Sequence, residues 1–209
     1  MNGSLTRSKK FTIVLASIIA LVLAFGTLGV HPEAAHAATN KKVAIVYFSG
    51  TGTTKSVAKK IQKATHGKLV QIKASDPYTD ADLDYDDEDS RVSKEHDSAA
   101  SPAKSKVRPE IKNLSAIKKA VKKAKVVYIG YPIWWGEAPH IMYTLVEKVS
   151  LKGKTVIPFC TSASSGTGAS SSHLKKCAII SSKTKWKPGK SFYGPSTQKR
   201  VSKWVKSIK

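Results

Sequence analysis

The run Lys42-Val43-Ala44-Ile45-Val46-Tyr47-Phe48 is short, continuous and apolar, bounded by turn residues, which is the pattern of a strand buried on both faces. From Thr53 to Thr65 the apolar residues fall at Val57, Ala58, Ile61 and Ala64 with lysines between them, a helical spacing closed by Gly67. Leu69 to Ile72 predicts a second strand, Leu114, Ile117, Ala120 and Val121 a second helix, and Val126 to Tyr131 a third strand. Ile141, Met142, Leu145 and Val149 mark a third helix and Thr155 to Cys160 a fourth strand. His173 to Ile180 is weakly helical, Trp186 to Phe192 holds a poorer strand, and Thr197 to Ile208 is an amphipathic helix through Val201, Trp204, Val205 and Ile208. Five strands alternating with helices predict an α/β protein, a three-layer doubly wound five-stranded parallel sheet with right-handed crossovers.

Two segments stand outside this alternation. Between Ala74 and Lys112 the periodicity is lost and acids, serines, Pro77, Pro102 and Pro109 accumulate. An excursion of that length inside a compact domain is either functional or mobile; its charge opposes the rest of the chain, so it can fold back on a basic body, a solvated loop being the alternative. At the other end, Arg7, Lys9 and Lys10 precede an apolar run from Phe11 to Val30, followed by Ala34-Ala35-His36-Ala37-Ala38. Charged, apolar and small-residue regions in that order are those of a secretory signal, with cleavage expected after Ala37. The apolar run is also long enough to span a bilayer as an uncleaved anchor, and a cytoplasmic protein with a misleading start is the remaining reading. No cysteine lies near the cut, so a lipoprotein anchor has no attachment point. The chain divides accordingly into 1–37, signal or anchor, and 38–209, one domain with its excursion at about 74–112. The expected location is extracellular or at the cell surface.

With 41% hydrophobic and 24% charged residues, the 209-residue chain is neither a disordered nor a collagen-like polymer. Lys and Arg number 36 against 14 Asp and Glu, a formal net charge of +22, yet the arginines are confined to Arg7, Arg91, Arg108 and Arg200. A lysine field attracts any polyanion but lacks the guanidinium forks that read base edges, so sequence-specific nucleic-acid binding is disfavoured. Removing residues 1–37 takes away three bases and one acid and leaves the excess almost whole. An exported cation of this kind is expected near anionic cell-wall polymers or a membrane surface, or else the lysines simply keep it soluble. Ten of the 14 acids lie between Asp76 and Asp97, so the molecule should be electrically two-sided.

In a doubly wound sheet ligands sit beyond the carboxyl ends of the strands, near the reversal of strand order, so the segments after strands one, three and four should converge. Ser49-Gly50-Thr51-Gly52-Thr53-Thr54 combines two glycines, four hydroxyls and a helix start, which suits a phosphate held by backbone amides, although ordinary helix capping uses the same residues. It is neither a P-loop nor Gly-x-Gly-x-x-Gly. Gly130-Tyr131-Pro132-Ile133-Trp134-Trp135-Gly136 places two indoles in a loop, either packed in the core or stacked on a planar ligand. Cys160-Thr161-Ser162-Ala163-Ser164-Ser165-Gly166-Thr167-Gly168 is small and polar, a linker by composition unless it lets a ligand edge reach the backbone.

With these three loops in this order the chain resembles the flavodoxin family, in its short flavodoxin-like branch, over about Lys41 to Lys209. Phe48-Ser49-Gly50-Thr51-Gly52-Thr53-Thr54-Lys55 looks like that family's flavin-mononucleotide (FMN) phosphate loop, and the other two loops, with Pro139, look like its flavin-flanking loops. The resemblance implies that Ser49, Thr51, Gly52, Thr53 and Thr54 hold the phosphate of FMN. It places Pro132, Ile133, Trp134 and Trp135 on one side of the isoalloxazine and Thr161, Ser162, Ser165 and Gly166 on the other, with Tyr85 a further candidate for the ring. Thr53 stands where the branch often has Asn, and the body is basic where soluble flavodoxins are typically acidic, which is the wrong sign for docking on a basic reductase.

The functional expectation is an exported FMN protein that transfers electrons to an unidentified redox partner, with no catalytic side chain of its own. The alternatives are a flavin-dependent NAD(P)H or quinone reductase and, in another class, a cationic cell-surface binding protein whose flavin site is vestigial. A positive surrounding would raise the flavin potential. Cys160, His173 and Cys177 imitate metal spacing without a fourth ligand, so no metal is expected, and no Gly-x-Ser-x-Gly elbow supports a hydrolase. His66, His96 and His140 have no recognisable acid partner and read as surface or cap residues. Cys160 and Cys177 are compatible with a disulfide, but Cys160 ends a buried strand and reads as a small core residue.

Overall fold

A computed structural model describes residues 42–208, so the signal or anchor segment and its cleavage site lie outside the described residues. β1 (Val43–Tyr47) leads through a glycine turn into α1 (Thr53–Thr65), and β2 (Lys68–Gln71) follows. After the excursion come α3 (Leu114–Lys123), β3 (Val126–Pro132), α4 (His140–Lys148), β4 (Thr155–Ser162) and α5 (Ser170–Cys177). The chain closes with β5 (Lys185–Trp186), β6 (Lys190–Tyr193) and α6 (Gln198–Ser207).

All pairings are parallel, in the order β2-β1-β3-β4-β5, with β6 also beside β4. The fifth position expected from Trp186 to Phe192 is thus filled by two short strands. Lys185–Trp186 lies against Thr155–Val156 and Lys190–Tyr193 against Phe159–Ser162. The break falls where Pro158 faces the stretch holding Pro188, and neither proline has an N–H to give to the ladder. Because β1 runs to β2 on one side while β3, β4 and β5 follow on the other, strand order reverses between β1 and β3, which leaves a crevice at their carboxyl ends.

The sheet separates two cores. Ile45, Tyr47, Tyr128, Ile157 and Phe159 pack with Val57, Ala58 and Ile61 of α1, Phe192 of β6 and Val201 of α6. On the opposite face Val46, Val127, Ile129 and Val156 pack with Ile117 and Val121 of α3, Ile141, Met142 and Leu145 of α4 and Leu174 of α5. Continuous apolar strands covered on both faces are what the unbroken runs in the sequence require. Gly130 of β3 leaves room for the ring of Phe159, its partner on β4, which an added Cβ would strike.

The excursion over residues 74–112 is ordered and folds back on the body, which differs from the solvated loop that is its alternative reading. Its neck is zipped by the bridge between Ala74 and Ile111, with Ser75 N donating to Glu110 O at 2.9 Å and Lys112 N to Lys73 O at 2.9 Å. Inside it are a 3-10 turn, Ala81–Leu83, and the short helix α2 (Arg91–Asp97), capped by the Ser90 side chain accepting from Ser93 N. Val92 is buried in this helix, and one apolar residue in seven is too weak a periodic signal for a helix to be read from sequence. The sign of the docking also differs from a loop held to the body by its acids. Its Arg108 grips Glu147 of α4 with two bonds, Nε to Oε2 at 2.8 Å and Nη2 to Oε1 at 2.9 Å, while Asp76 and Asp89 pair with Arg91 and Lys94 of the excursion itself.

Candidate functional site

The first loop makes a turn with an anion's geometry. Gly52, at φ 92, is the N-cap of α1 and its left-handed backbone is one that glycine adopts without strain. The amides of Gly52 and Lys55 both donate to Ser49 Oγ, at 3.1 and 3.3 Å, so two N–H groups converge on one oxygen; Thr51 and Thr53 hydroxyls lie 3.3 Å apart beside it. No acid occurs in the first turn of α1, and the amides of a helix start, two of them here turned on the Ser49 hydroxyl, favour an anion there. Thr54 is turned inward: its buried hydroxyl meets that of Thr161 at 2.7 Å, tying the first loop to the third.

The second loop continues β3 through Ile133, whose amide donates to Thr161 O at 2.8 Å, and then reverses. Trp134 and Glu137 exchange both backbone bonds at 2.9 Å, with Trp135 at φ 49 and Gly136 at φ 78 between them. Two central residues with positive φ define the mirror-image hairpin turn, which ordinarily takes Asn-Gly. A tryptophan in that first position carries backbone strain of about 1 kcal/mol or more. The two indoles therefore have separate fates. Trp134 packs edge-on against Phe48 and Tyr78, with centroids at 5.5 and 5.2 Å, and belongs to the core margin. Trp135 is held out, 45% exposed, with Tyr85 at 5.4 Å and a tilt of 46° and with the His96 ring stacked on it at 4.8 Å and 14°.

The third loop leaves β4 through Thr161 and Ser162, whose hydroxyl accepts from Ser164 N at 3.2 Å and lies 3.3 Å from that of Ser165. It touches the second loop: a Cβ on Gly168 would lie 3.1 Å from Gly136 O, and His173 Nδ1 is 2.8 Å from Glu137 Oε1. Gly166, at φ 69, carries its backbone under the Tyr193 hydroxyl. The structure thus brings Ser49, Thr51, Gly52, Thr53 and Thr54 to one helix start, joins Thr54 and Ile133 to Thr161, and sets Pro132, Ser162, Ser165 and Gly166 on the adjoining strand ends. Tyr85 reaches Trp135 from the excursion.

Three groups escaped the sequence reading. His96 is an exposed residue, as expected, but its ring also stacks on Trp135, which the sequence did not signal. His140 is 4% exposed, with Nδ1 3.8 Å from Glu95 Oε2 and Nε2 3.4 Å from Ser98 Oγ, so it is no surface histidine either. Glu95 is buried on α2, accepting from Tyr78 OH at 2.7 Å and Arg91 Nε at 3.0 Å, while its Oε2 has no hydrogen-bond partner. The i, i+4 spacing of Arg91 and Glu95 was a signal for this helix, but nothing in the sequence pointed Glu95 inward. Cys160 and Cys177 are both free, and burial pushes the Cys160 thiol up to about 11. No cluster of metal ligands exists among the described residues.

An open parallel sheet whose order reverses between β1 and β3, with an amide cradle after β1 and an aromatic turn after β3, defines a flavin-binding α/β architecture. The family model for flavodoxin matches residues 42–208, and the chain belongs to the flavodoxin family. A protein of Bacteroides eggerthii assigned to the flavoproteins is 41% identical, with 80% of this chain and 97% of that one covered and a TM-score of 0.68. A second, from Bacteroides uniformis, is 36% identical over 79% and 98% with a TM-score of 0.67. A flavoprotein of Lactobacillus acidophilus, solved in complex with FMN, is 25% identical over 79% and 99% with a TM-score of 0.52. No curated protein matches.

Two outcomes test this geometry. His140 is held down to about 4 by burial, then by Arg108 and His96, so the unfolded chain takes up a proton that the folded one refuses. Stability contributed by His140 is present above its ordinary value of 6.5 and is lost as pH falls toward 4, by about 2 kcal/mol at pH 5. Burial raises Glu95, whose contribution runs the other way and is lost as pH rises through its folded value. Urea midpoints should fall from pH 7 to pH 5, and His140→Gln should flatten that fall; an unchanged slope would contradict the assignment. Trp135→Asn should leave the urea midpoint unchanged or higher, because the turn is relieved, while weakening FMN at least tenfold; a stability loss with full affinity would reverse the roles given to this turn.

Proposed function

We propose that this protein is an exported electron carrier whose cofactor is FMN, held in the crevice formed by the three loops. The observation that carries the reading is the joint placement of two converging amides at Gly52 and Lys55 and of a strained, outward Trp135 on loops tied together at Thr161. The amides and the Ser49, Thr51 and Thr53 hydroxyls bind the phosphate, Trp135 stacks on the ring, and the Thr161–Gly166 segment supplies amides and hydroxyls to its polar edge. When bound, the flavin supplies one- or two-electron transfer, and the protein sets its potential by stacking, hydrogen bonds and local charge. No protein nucleophile is needed. Export rests on the order of charged, apolar and small residues at the N-terminus; among the described residues no helix is long and apolar enough to cross a membrane.

Placement of the excursion changes the expected partner. Tyr85, beside Trp135, stands in a run from Asp80 to Asp89 that contains seven exposed or half-exposed acids and no base. The charge next to the ring is therefore negative although the body is positive. This rim disfavours added negative charge on the flavin, against the raised potential expected from the lysines, and it attracts a cationic redox partner. The test uses FMN-loaded, chemically reduced protein with the cationic haem protein cytochrome c as probe. Reduction should slow as salt rises, and the triple variant Asp84→Asn, Asp86→Asn, Asp87→Asn should slow it at least threefold at low salt. A rate that climbs with salt contradicts the rim's role, and rapid oxidation of NADH by the protein alone makes it a reductase instead.

A further inference from the structure

The sheet divides charge as well as cores. Every acid of residues 42–208 lies in the excursion, in the β3–α4 loop or on α4, and these elements share the sheet face of α3 and α5. The opposite face is covered by α1 and α6, whose apolar sides meet over Phe159 and Phe192. The two helices touch directly, Gln198 Nε2 donating to Lys60 O at 3.0 Å. Their outer surface has four lysines on α1, three lysines and Arg200 on α6, and no acid at all. Seven of these eight are exposed, Lys60 being half-buried.

We infer that this α1/α6 face is a docking surface for a linear polyanion with repeating phosphate groups. At about 1.5 Å per residue the helices are roughly 15–20 Å long, and packed helices lie about 8–10 Å apart, so eight cations share a narrow plateau. Such a density of like charge, with no acid to neutralise it internally, lowers its own repulsion by taking up a polyanion and releasing that polymer's counterions. A chain of phosphates can lie along the plateau and meet charges on both helices. A bilayer is the less favoured occupant, because the exposed large apolar side chains, Tyr85, Val107, Trp135, Ile179 and Tyr193, lie on neither helix and none can insert there. Lysine, a hydrated point charge on a flexible stem, suits a polymer without fixed geometry better than arginine's rigid fork. The acidic rim beside Trp135 belongs to the other side of the sheet. A molecule held by α1 and α6 therefore keeps its acidic side, with the candidate ring site, turned away from the polymer and open to a cationic partner.

Two variants of the full chain with equal net charge isolate the face from the total. One carries Lys59→Glu, Lys63→Glu, Lys199→Glu and Lys203→Glu, and the other Lys118→Glu, Lys119→Glu, Lys122→Glu and Lys123→Glu on α3. Affinity for long-chain inorganic polyphosphate should drop at least tenfold in the first, with a shallower salt dependence, and less than threefold in the second. Equal losses in both would show a diffuse field and overturn the assignment. Loss of binding to vesicles of phosphatidylglycerol and phosphatidylcholine in the first variant, with polyphosphate binding intact, would make the partner a bilayer and also overturn it. Circular dichroism and FMN binding report that each variant is folded, and neither depends on the polymer, so this inference and the flavin reading fail separately.

Discussion

Thr54 and Thr161, both buried, share a hydrogen bond of 2.7 Å that joins the start of α1 to the end of β4. The crevice depends on it. Thr161 also accepts from Ile133 through its carbonyl, so one residue fixes all three loops relative to one another. Two buried hydroxyls without each other would each be an unsatisfied polar group, at about 1–3 kcal/mol apiece, so the loops are held together by what separation would cost. The strained turn at Trp135 persists against this frame because its flanks are fixed on both sides, by the paired backbone of Trp134 and Glu137 and by the contact of Glu137 with His173.

The same arrangement explains why an acidic segment is inserted into a basic protein. α2 buries Val92 and Glu95, Tyr78 joins Phe48 and Trp134 in one aromatic group, and Arg108 locks the far end to Glu147. Docked in this way, the excursion brings Tyr85, His96 and a row of acids to the rim of a crevice whose own loops, after β1, β3 and β4, carry Glu137 as their one acid. Charge is then distributed by function: negative around the candidate ring site, positive and unbroken across α1 and α6.

Most of the frame was legible because its signals are local. Short continuous runs bounded by turn residues, such as Val43 to Tyr47, have the pattern of strands buried on both faces, and the lysines between Val57 and Ile61 mark the outer face of α1. The three loops were legible through residue types at strand ends, and the family resemblance through their order. What could not be read depends on contacts across long sequence distances. Nothing near Trp134 and Trp135 says which indole turns inward; that is decided by Phe48 and Tyr78. His140 looked like a surface residue because its partner Glu95 is 45 positions away, and the stacking of exposed His96 on Trp135 spans 39 positions. The broken fifth strand needed Pro158 and Pro188 to be seen as neighbours.

The central claim, that this frame exists to hold a flavin, is tested most directly by titrating the purified protein with FMN while indole and flavin fluorescence are followed. The account predicts saturation at one FMN per chain with quenching of both signals, because Trp135 is the exposed indole on which the ring would rest. Unchanged fluorescence at micromolar FMN would contradict it and leave a flavodoxin fold whose working surface is the cationic face alone.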